Sequence, residues 1–471
     1  MSTQPRQSGP FNYFLSGNFA PVADERTIPG LEVIGRIPAD LAGSFLRIGP
    51  NPQFVPDIER YHWFDGDGML HGIEFADGRA TYRNRYVRTD GYLKEKAKGG
   101  WIWQGFNARM SGEASTPPEE GPSKNAANTA LVEHNGTLYA LWEGGAPHAV
   151  SLPGLDTIGT VDFDGKLTHA FTAHPKVDTR TGEMMTFGYS AMPPFVTYSV
   201  VDPSGRIVHT APITIPKGVM MHDCAITEHY TVFLDMPLTF DIMRAMKGGK
   251  VLAWEPENGT RIGVVPRKGG DGDAKWFDVA TGFVFHTANA WEEGDEVVLV
   301  ASRSETTDVI GAADNGDGAN AEVTTGKLHE WRLNLKTGAV RERVLSRLHS
   351  DFTRINDTYA GYRSRYVYSA HFAPDRVSLF DALLKYDHDT GTTRVHAFGP
   401  GRFGGEGVFA PAVGGKAEDD GYVISFVWDE NSQSSECVVI DARDFEAPPV
   451  ARIRIPCRVP YGFHAGWVGA R

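Results

Sequence analysis

Turn-forming dipeptides recur along the whole chain, and short apolar or alternating runs lie between them. Asp77-Gly78, Asn135-Gly136, Asp164-Gly165, Thr181-Gly182, Ser204-Gly205, Asn258-Gly259, Thr337-Gly338 and Thr390-Gly391 each mark a hairpin. Tight two-residue turns need backbone conformations that Gly, Asn and Asp tolerate. The runs Thr137 to Trp142, Val196 to Val201, Tyr230 to Leu234, Glu296 to Ala301 and Tyr422 to Val427 are rich in Val, Tyr, Phe and Leu. Such residues suit a half-buried pleated surface. With 53 Gly, 29 Pro and 11% aromatics, the composition also fits many short strands joined by tight turns. The fold class is therefore expected to be all-β. No Pro-, Gly- and Ser-rich linker divides the sequence, so residues 1–471 are read as one domain with an N-terminal arm over residues 1–30. A regular succession of hairpins over more than about 400 residues suits a propeller better than a sandwich. No repeat is legible in the sequence itself.

Charge and cysteine usage exclude several functions. The 46 basic and 59 acidic residues give a formal charge of -13, which opposes the electrostatics of nucleic-acid binding. No nucleic-acid partner is expected. Cys224, Cys437 and Cys457 are far apart and form no C-x-x-C pair, so neither a disulfide framework nor a thiolate zinc site is signalled. A reducing cytoplasm is the expected compartment. The first residues, Met1 to Arg6, lead into no apolar h-region, and nowhere do 18 apolar residues run together, so neither a secretory signal nor a membrane span is read.

Two segments break the strand pattern. Pro237 to Gly248 carries Leu238, Phe240, Ile242, Met243 and Met246 and reads as a short apolar helix. It caps the sheet core, lines a substrate entrance, or rests on a membrane surface as a peripheral contact. Ser304 to Gly326 is polar and Gly-rich and is read as a solvated loop without chemistry.

Local motifs discriminate little. Asp65-Gly66-Asp67-Gly68 begins like a calcium loop, but Ala76 stands where a bidentate Glu is required. No phosphate-binding loop, dinucleotide fingerprint, G-x-S-x-G elbow or H-E-x-x-H occurs. His349-Ser350-Asp351 has the H-x-D form of an iron facial triad, a pattern that chance alone supplies at this His and acid content. Four of the 16 histidines stand out because they sit among apolar or small residues, where an unpaired imidazole is costly to bury. They are His174 in Phe171-Thr172-Ala173-His174-Pro175, His222 in Met220-Met221-His222-Asp223, His286 in Phe285-His286-Thr287-Ala288, and His464 in Tyr461-Gly462-Phe463-His464-Ala465.

With these contexts, Arg47 to Pro52, Trp63 to Met69, Ala127-Asn128-Thr129, Leu141 to Gly145 and Gly259 to Gly263, the chain resembles the carotenoid cleavage oxygenase family over nearly its whole length. The resemblance implies a seven-bladed β-propeller with a ferrous ion on its axis, under a cap of loops and helices that shapes an apolar tunnel. It implies His174, His222, His286 and His464 as iron ligands and Glu143, Asp351 and Glu406 as the carboxylates that orient them. Four neutral imidazoles suit Fe(II), leave positions open for dioxygen and add no charge favouring the ferric state. Asp351 stands where Glu is more usual, and one methylene less predicts a longer or water-mediated bond to its ring. Thr129 matches a position whose methyl faces an open site on the iron. For Trp63 to Met69 a structural role is expected, with Gly66 and Gly68 permitting a tight turn and the aromatics packing between blades.

The activity implied is an Fe(II)-dependent dioxygenase that uses O2 to cleave a conjugated carbon-carbon double bond into aldehyde or ketone products. Family members that cleave hydroxylated stilbenes carry a Lys immediately before the first of these carboxylates, and Trp142 occupies that place here. An apolar polyene, a carotenoid or apocarotenoid, is therefore the expected substrate. The alternatives are cleavage of a stilbenoid or phenylpropenoid aryl-alkene, isomerohydrolase chemistry, and a silent binding platform.

Overall fold

The computed structural model describes residues 11–55, 57–111, 119, 121, 123–307, 325–374 and 378–470. Seven antiparallel blades surround one axis, the fifth and sixth joined in a single sheet, and blades 2 to 7 each open with their innermost strand. Blade 2 runs Ala130–His134, Thr137–Leu141, His148–Val150 and Thr157–Thr160. Blades 3 and 4 open with Lys176–Val177 and Ala225–Ile226. Blade 5 opens with Phe283–Glu293. Its outermost strand is the 15-residue Val340–Arg354, whose far end becomes the innermost strand of blade 6. Blade 7 comprises Val408–Pro411, Gly421–Asp429, Ser434–Asp441 and Ala451–Ile455. This is the seven-bladed all-β propeller expected from the resemblance.

The two ends of the chain close the ring. Blade 1 takes Gly43–Pro50, Gly68–Ala76 and Arg79–Tyr86 from the N-terminal side and Ala465–Gly469 from the C-terminal side as its innermost strand. Conversely, Val33–Gly35 pairs with Ala451–Ile455 at the outer edge of blade 7. Phe45 is fully buried at this junction, opposite Trp467 in the strand register, with its ring 5.0 Å from Phe426 of blade 7. Within the residues read as an arm, Phe14 and Phe19 are buried against Trp63, and Arg26–Ile28 adds a fifth strand to blade 1.

All five apolar runs are strands, and six of the eight turn signals close hairpins. Asp164-Gly165 instead turns the connection from blade 2 to blade 3, and Asn258-Gly259 ends a single 3-10 turn before Thr260–Pro266. Both dipeptides take the backbone a turn needs, but no partner strand stands on both sides. The helix expected over Pro237 to Gly248 is also shorter. Leu238–Phe240 is a strand paired with Leu252–Trp254, and only Ile242–Met246 is helical, starting where the Asp241 side chain accepts from the Arg244 N–H. Thr239 and Phe240 are better strand than helix formers, and the pairing with Leu252–Trp254 decides the matter. Most of Ser304 to Gly326 lies outside the described residues.

Trp63–Asp65 is a 3-10 turn, with Trp63 packed on Phe14, Phe19 and Phe463. Asp65 accepts from the Phe106 N–H at 2.7 Å, and Asp67 pairs with buried Lys124 at 2.9 Å. These contacts fix the helices Asp90–Lys98 and Phe106–Met110 above the sheets. The two glycines serve close approach instead of turn conformation. Gly66 has φ -65°, which any residue adopts, whereas a Cβ on Gly68 would lie 2.1 Å from the Ala127 carbonyl oxygen.

Because Phe45 bridges the first and last blades, Phe45→Ala is expected to cost about 3–5 kcal/mol, measured as a loss of unfolding free energy in denaturant. A change under about 1 kcal/mol would show that the ring closure does not depend on this contact.

Candidate metal centre

Each blade delivers one side chain to the axis from the start of its innermost strand. Thr129 precedes Ala130–His134, His174 precedes Lys176–Val177, His222 precedes Ala225–Ile226, and His464 precedes Ala465–Gly469. Glu406 precedes Val408–Pro411, while His286 and Asp351 lie within Phe283–Glu293 and Val340–Arg354. The propeller's pseudo-symmetry thus gathers residues spread over more than 300 positions of sequence.

The four histidines meet there. Their ligand atoms all lie within 4.8 Å of one another, and ring centroids are 4.4 Å apart for His174 and His464, 4.6 Å for His174 and His222, and 4.6 Å for His286 and His464. Three rings are held from behind by carboxylates. His222 Nδ1 donates to Glu143 Oε2 at 2.5 Å, His286 Nδ1 to Asp351 Oδ1 at 3.0 Å, and His464 Nδ1 to Glu406 Oε1 at 3.2 Å. A carboxylate accepts, so each Nδ1 carries the proton and each Nε2 presents a lone pair.

Around these Nε2 atoms the protein offers little but the other rings. The Nε2 atoms of His174 and His222 face each other at 3.0 Å, and buried His286 Nε2 has no hydrogen-bond partner. Such an arrangement is costly unless a cation takes the electron pairs. Electrostatics points the same way. Burial, then the neighbouring rings, holds His174 well below the usual imidazole range, and burial pushes His464 down to about 4. For His222 burial acts against protonation, but the Glu143 carboxylate outweighs it and raises the affinity for a proton. A metal ion competes for that proton's place on Nε2 while Nδ1 stays with Glu143. The donor set therefore fits a metal that prefers imidazole.

Two β-bulges aim these side chains. The pairing of blade 5 shifts register between Val284 and Thr287, placing His286 on a bulge. A second shift lies between Asp351 and Arg354, where Phe352 has φ +54°. This bulge corrects the expectation of a longer or water-mediated bond from Asp351. With the strand irregular there, the shorter acid reaches His286 directly at 3.0 Å.

Three positioning groups carry no sequence signal of their own. The Tyr189 hydroxyl donates to Glu143 Oε1 while that carboxylate's other oxygen accepts from His222. Asp223, next to His222, accepts from the Thr287 N–H at 2.7 Å and Oγ1 at 2.9 Å and so pins the His286 bulge. Arg354 lies 3.7 Å from Glu406. Although burial opposes ionisation of Glu406, Arg354, His464 and the Ala465 N–H outweigh it and keep its carboxyl below the usual range. Thr129 donates its hydroxyl to Asn128 Oδ1 at 2.9 Å.

Half-buried Phe64, Phe106, Met110, Phe240, Trp254 and Phe285 pack against one core cluster, an apolar wall that meets the centre through Phe285. The Phe285 ring is 5.7 Å from His222, and Phe240 stacks on Tyr189 at 5.9 Å. Trp142 folds over the following turn so closely that a Cβ on Gly144 would lie 2.4 Å from its ring. Among the described residues Cys224, Cys437 and Cys457 are free.

Glu143→Gln replaces an acceptor of two hydrogen bonds by an amide that can accept only one, and is expected to weaken metal binding roughly 10- to 100-fold. Competition with a chromophoric chelator measures this. An unchanged dissociation constant would show that the carboxylate does not hold the ring.

Comparisons with known proteins agree with this geometry. Residues 19–469 match the family described as retinal pigment epithelial membrane protein. A carotenoid 9,10(9',10')-cleavage dioxygenase of Crocus sativus is 42% identical over 97% of this chain and 89% of its own length. A carotenoid cleavage oxygenase of Mycobacterium tuberculosis is 33% identical over 97% of both. Among solved structures, the lignostilbene dioxygenase of Pseudomonas brassicacearum superposes with a TM-score of 0.88 at 30% identity, covering 99% of this chain and all of that one. The cobalt-substituted apocarotenoid oxygenase of Synechocystis gives 0.83 at 30% identity, covering 96% and 97%. The chain belongs to the retinal pigment epithelial membrane protein family, the family of the carotenoid cleavage oxygenases.

Proposed function

We propose that this protein is an Fe(II)-dependent dioxygenase that cleaves a conjugated carbon-carbon double bond of a carotenoid or apocarotenoid with O2, giving aldehyde or ketone products. The convergence of four imidazoles beside an apolar aromatic wall carries this reading. His174, His222, His286 and His464 would hold the iron, which when bound supplies the site of dioxygen activation. Four neutral nitrogen ligands suit the ferrous state. Glu143, Asp351 and Glu406 fix the ring orientations and tautomers, and Tyr189 fixes Glu143. The methyl of Thr129 would restrict what approaches the ion. The aromatic wall would hold the polyene by burial of its apolar surface and exclude water from the reacting bond.

A second reading is cleavage of a stilbenoid or phenylpropenoid aryl-alkene, favoured by the likeness to the lignostilbene dioxygenase. Trp142 argues against it, because an indole offers a phenolate no charge. Aerobic incubation of the Fe(II)-loaded protein with apocarotenals, intact carotenoids and hydroxystilbenes separates the two. Shortened apocarotenals or dialdehydes are expected, with no product and no retained iron in His222→Ala. Aryl aldehydes alone would overturn the polyene reading, and stoichiometric iron in His222→Ala would overturn the four-histidine assignment.

We also propose that residues 237–248 touch a membrane surface from which an apolar substrate is drawn. No described helix is long and apolar enough to cross a membrane. On Ile242–Met246, however, Met243 and Met246 are 59% and 75% exposed, with exposed Lys247 and Lys250 beside them. Arg244 ties the base of the segment to Glu255 at 2.8 Å and to the Lys250 and Val251 carbonyls. Exposed apolar side chains flanked by lysines fit an anionic bilayer. Met243→Ser with Met246→Ser is expected to reduce sedimentation with anionic liposomes several-fold without changing the unfolding midpoint; equal sedimentation would return the segment to ordinary packing.

A further inference from the structure

A cavity of about 310 Å³ reaches the four-histidine centre along the propeller axis. At its inner end it is lined by His174, His286, His464 and Glu406, and at its outer end by exposed Thr179 and Asp357. None of Phe64, Phe106, Met110, Phe240, Trp254 and Phe285 lines it, and neither does His222. The cavity therefore reaches the centre along a polar axis that the aromatic wall does not line.

The axial walls include four acids, Glu133, Asp223, Asp357 and Glu406, against two bases, Lys176 and Arg354. These fixed charges leave a negative surplus. The two bases are committed to the acids: Lys176 Nζ is 2.8 Å from Asp223, and Arg354 is 2.9 Å from Asp357 and 3.7 Å from Glu406. Thr287, Asn289 and Thr353 add neutral polar groups. At the inner end the buried, unpartnered Nε2 of His286 offers a lone pair to an arriving cation. A channel with a negative surplus between low-dielectric walls raises the local cation concentration and speeds association. A hydrated dication crossing the aromatic wall would lose its water with no polar group in exchange, at a cost of many kcal/mol.

We propose that the axial channel is the path by which the divalent metal ion reaches and leaves the four-histidine centre, separate from the apolar approach used by the substrate. This rests on the reading of the four histidines as metal ligands. Residues at the channel mouth then act on the rate of metal exchange and not on the affinity of the centre. Asp357 attracts the ion at the mouth, and Lys176 and Arg354 hold the inner acids in place so that none becomes a trap on the way.

The test is the rate at which metal-stripped full-length protein takes up Co(II), followed by its ligand-field absorption. Asp357→Lys is expected to slow uptake roughly 10-fold at low ionic strength, with the difference shrinking as salt rises. Asp295→Lys makes the same charge change in an exposed hairpin turn outside the channel and is expected to leave the rate unchanged. Thr179→Trp narrows the mouth without charge and is expected to slow both uptake and removal by chelator at any salt. Final cobalt content should be one per chain in all of them. Wild-type rates in both Asp357→Lys and Thr179→Trp, or equal slowing in Asp295→Lys, would overturn the route while leaving the centre intact. Failure of the unmodified protein to bind Co(II) at all would overturn the four-histidine reading itself.

Discussion

Four imidazoles with their lone pairs turned towards one another on a buried axis impose the strictest demand on this molecule. Rings so placed crowd their lone pairs together, so the arrangement stands only if they are held from outside. Glu143, Asp351 and Glu406 do this for three of them by accepting the Nδ1 proton. Those acids are buried or nearly so and are held in turn. Tyr189 and His222 satisfy Glu143, while Arg354 and the Ala465 N–H satisfy Glu406. A buried charge is tolerable only inside such a network, because one missing partner leaves the whole desolvation cost exposed.

The propeller makes that network affordable in geometric terms. Each blade brings one innermost strand to the axis, so seven sites of similar depth are available without any long excursion of the chain. The regular strands alone would aim alternate side chains along fixed directions. Bulges at His286 and at Asp351 to Arg354 supply the departures the centre requires. Asp223 stabilises the first of them from the residue next to a histidine of the centre. The same closeness of inner strands leaves an axial cavity behind the histidines, whereas the helices anchored through Asp65 and Lys124 contribute Phe106 and Met110 to the aromatic wall. The polar axial cavity and the aromatic wall are thereby kept apart.

Much of this was readable from residue order. Hairpin signals and short β-prone runs determined an all-β chain of many blades, since turn conformation and strand packing are local properties of a few residues. Apolar surroundings singled out His174, His222, His286 and His464, because burying an imidazole without a purpose is costly wherever it occurs. Motif resemblance named Glu143, Asp351, Glu406 and Thr129, and it did so without geometry. Only the tertiary structure decided the rest. Whether Asp351 reaches its ring depends on a bulge formed by pairing with another strand, and whether residues 238–240 are helix or strand depends on Leu252–Trp254. Tyr189, Asp223 and Arg354 are ordinary residues in sequence, and their roles come from contacts tens to more than a hundred residues away. Local patterns fix local conformation, but hydrogen-bond partners and approaches to a buried centre are set by which distant strands the ring brings side by side.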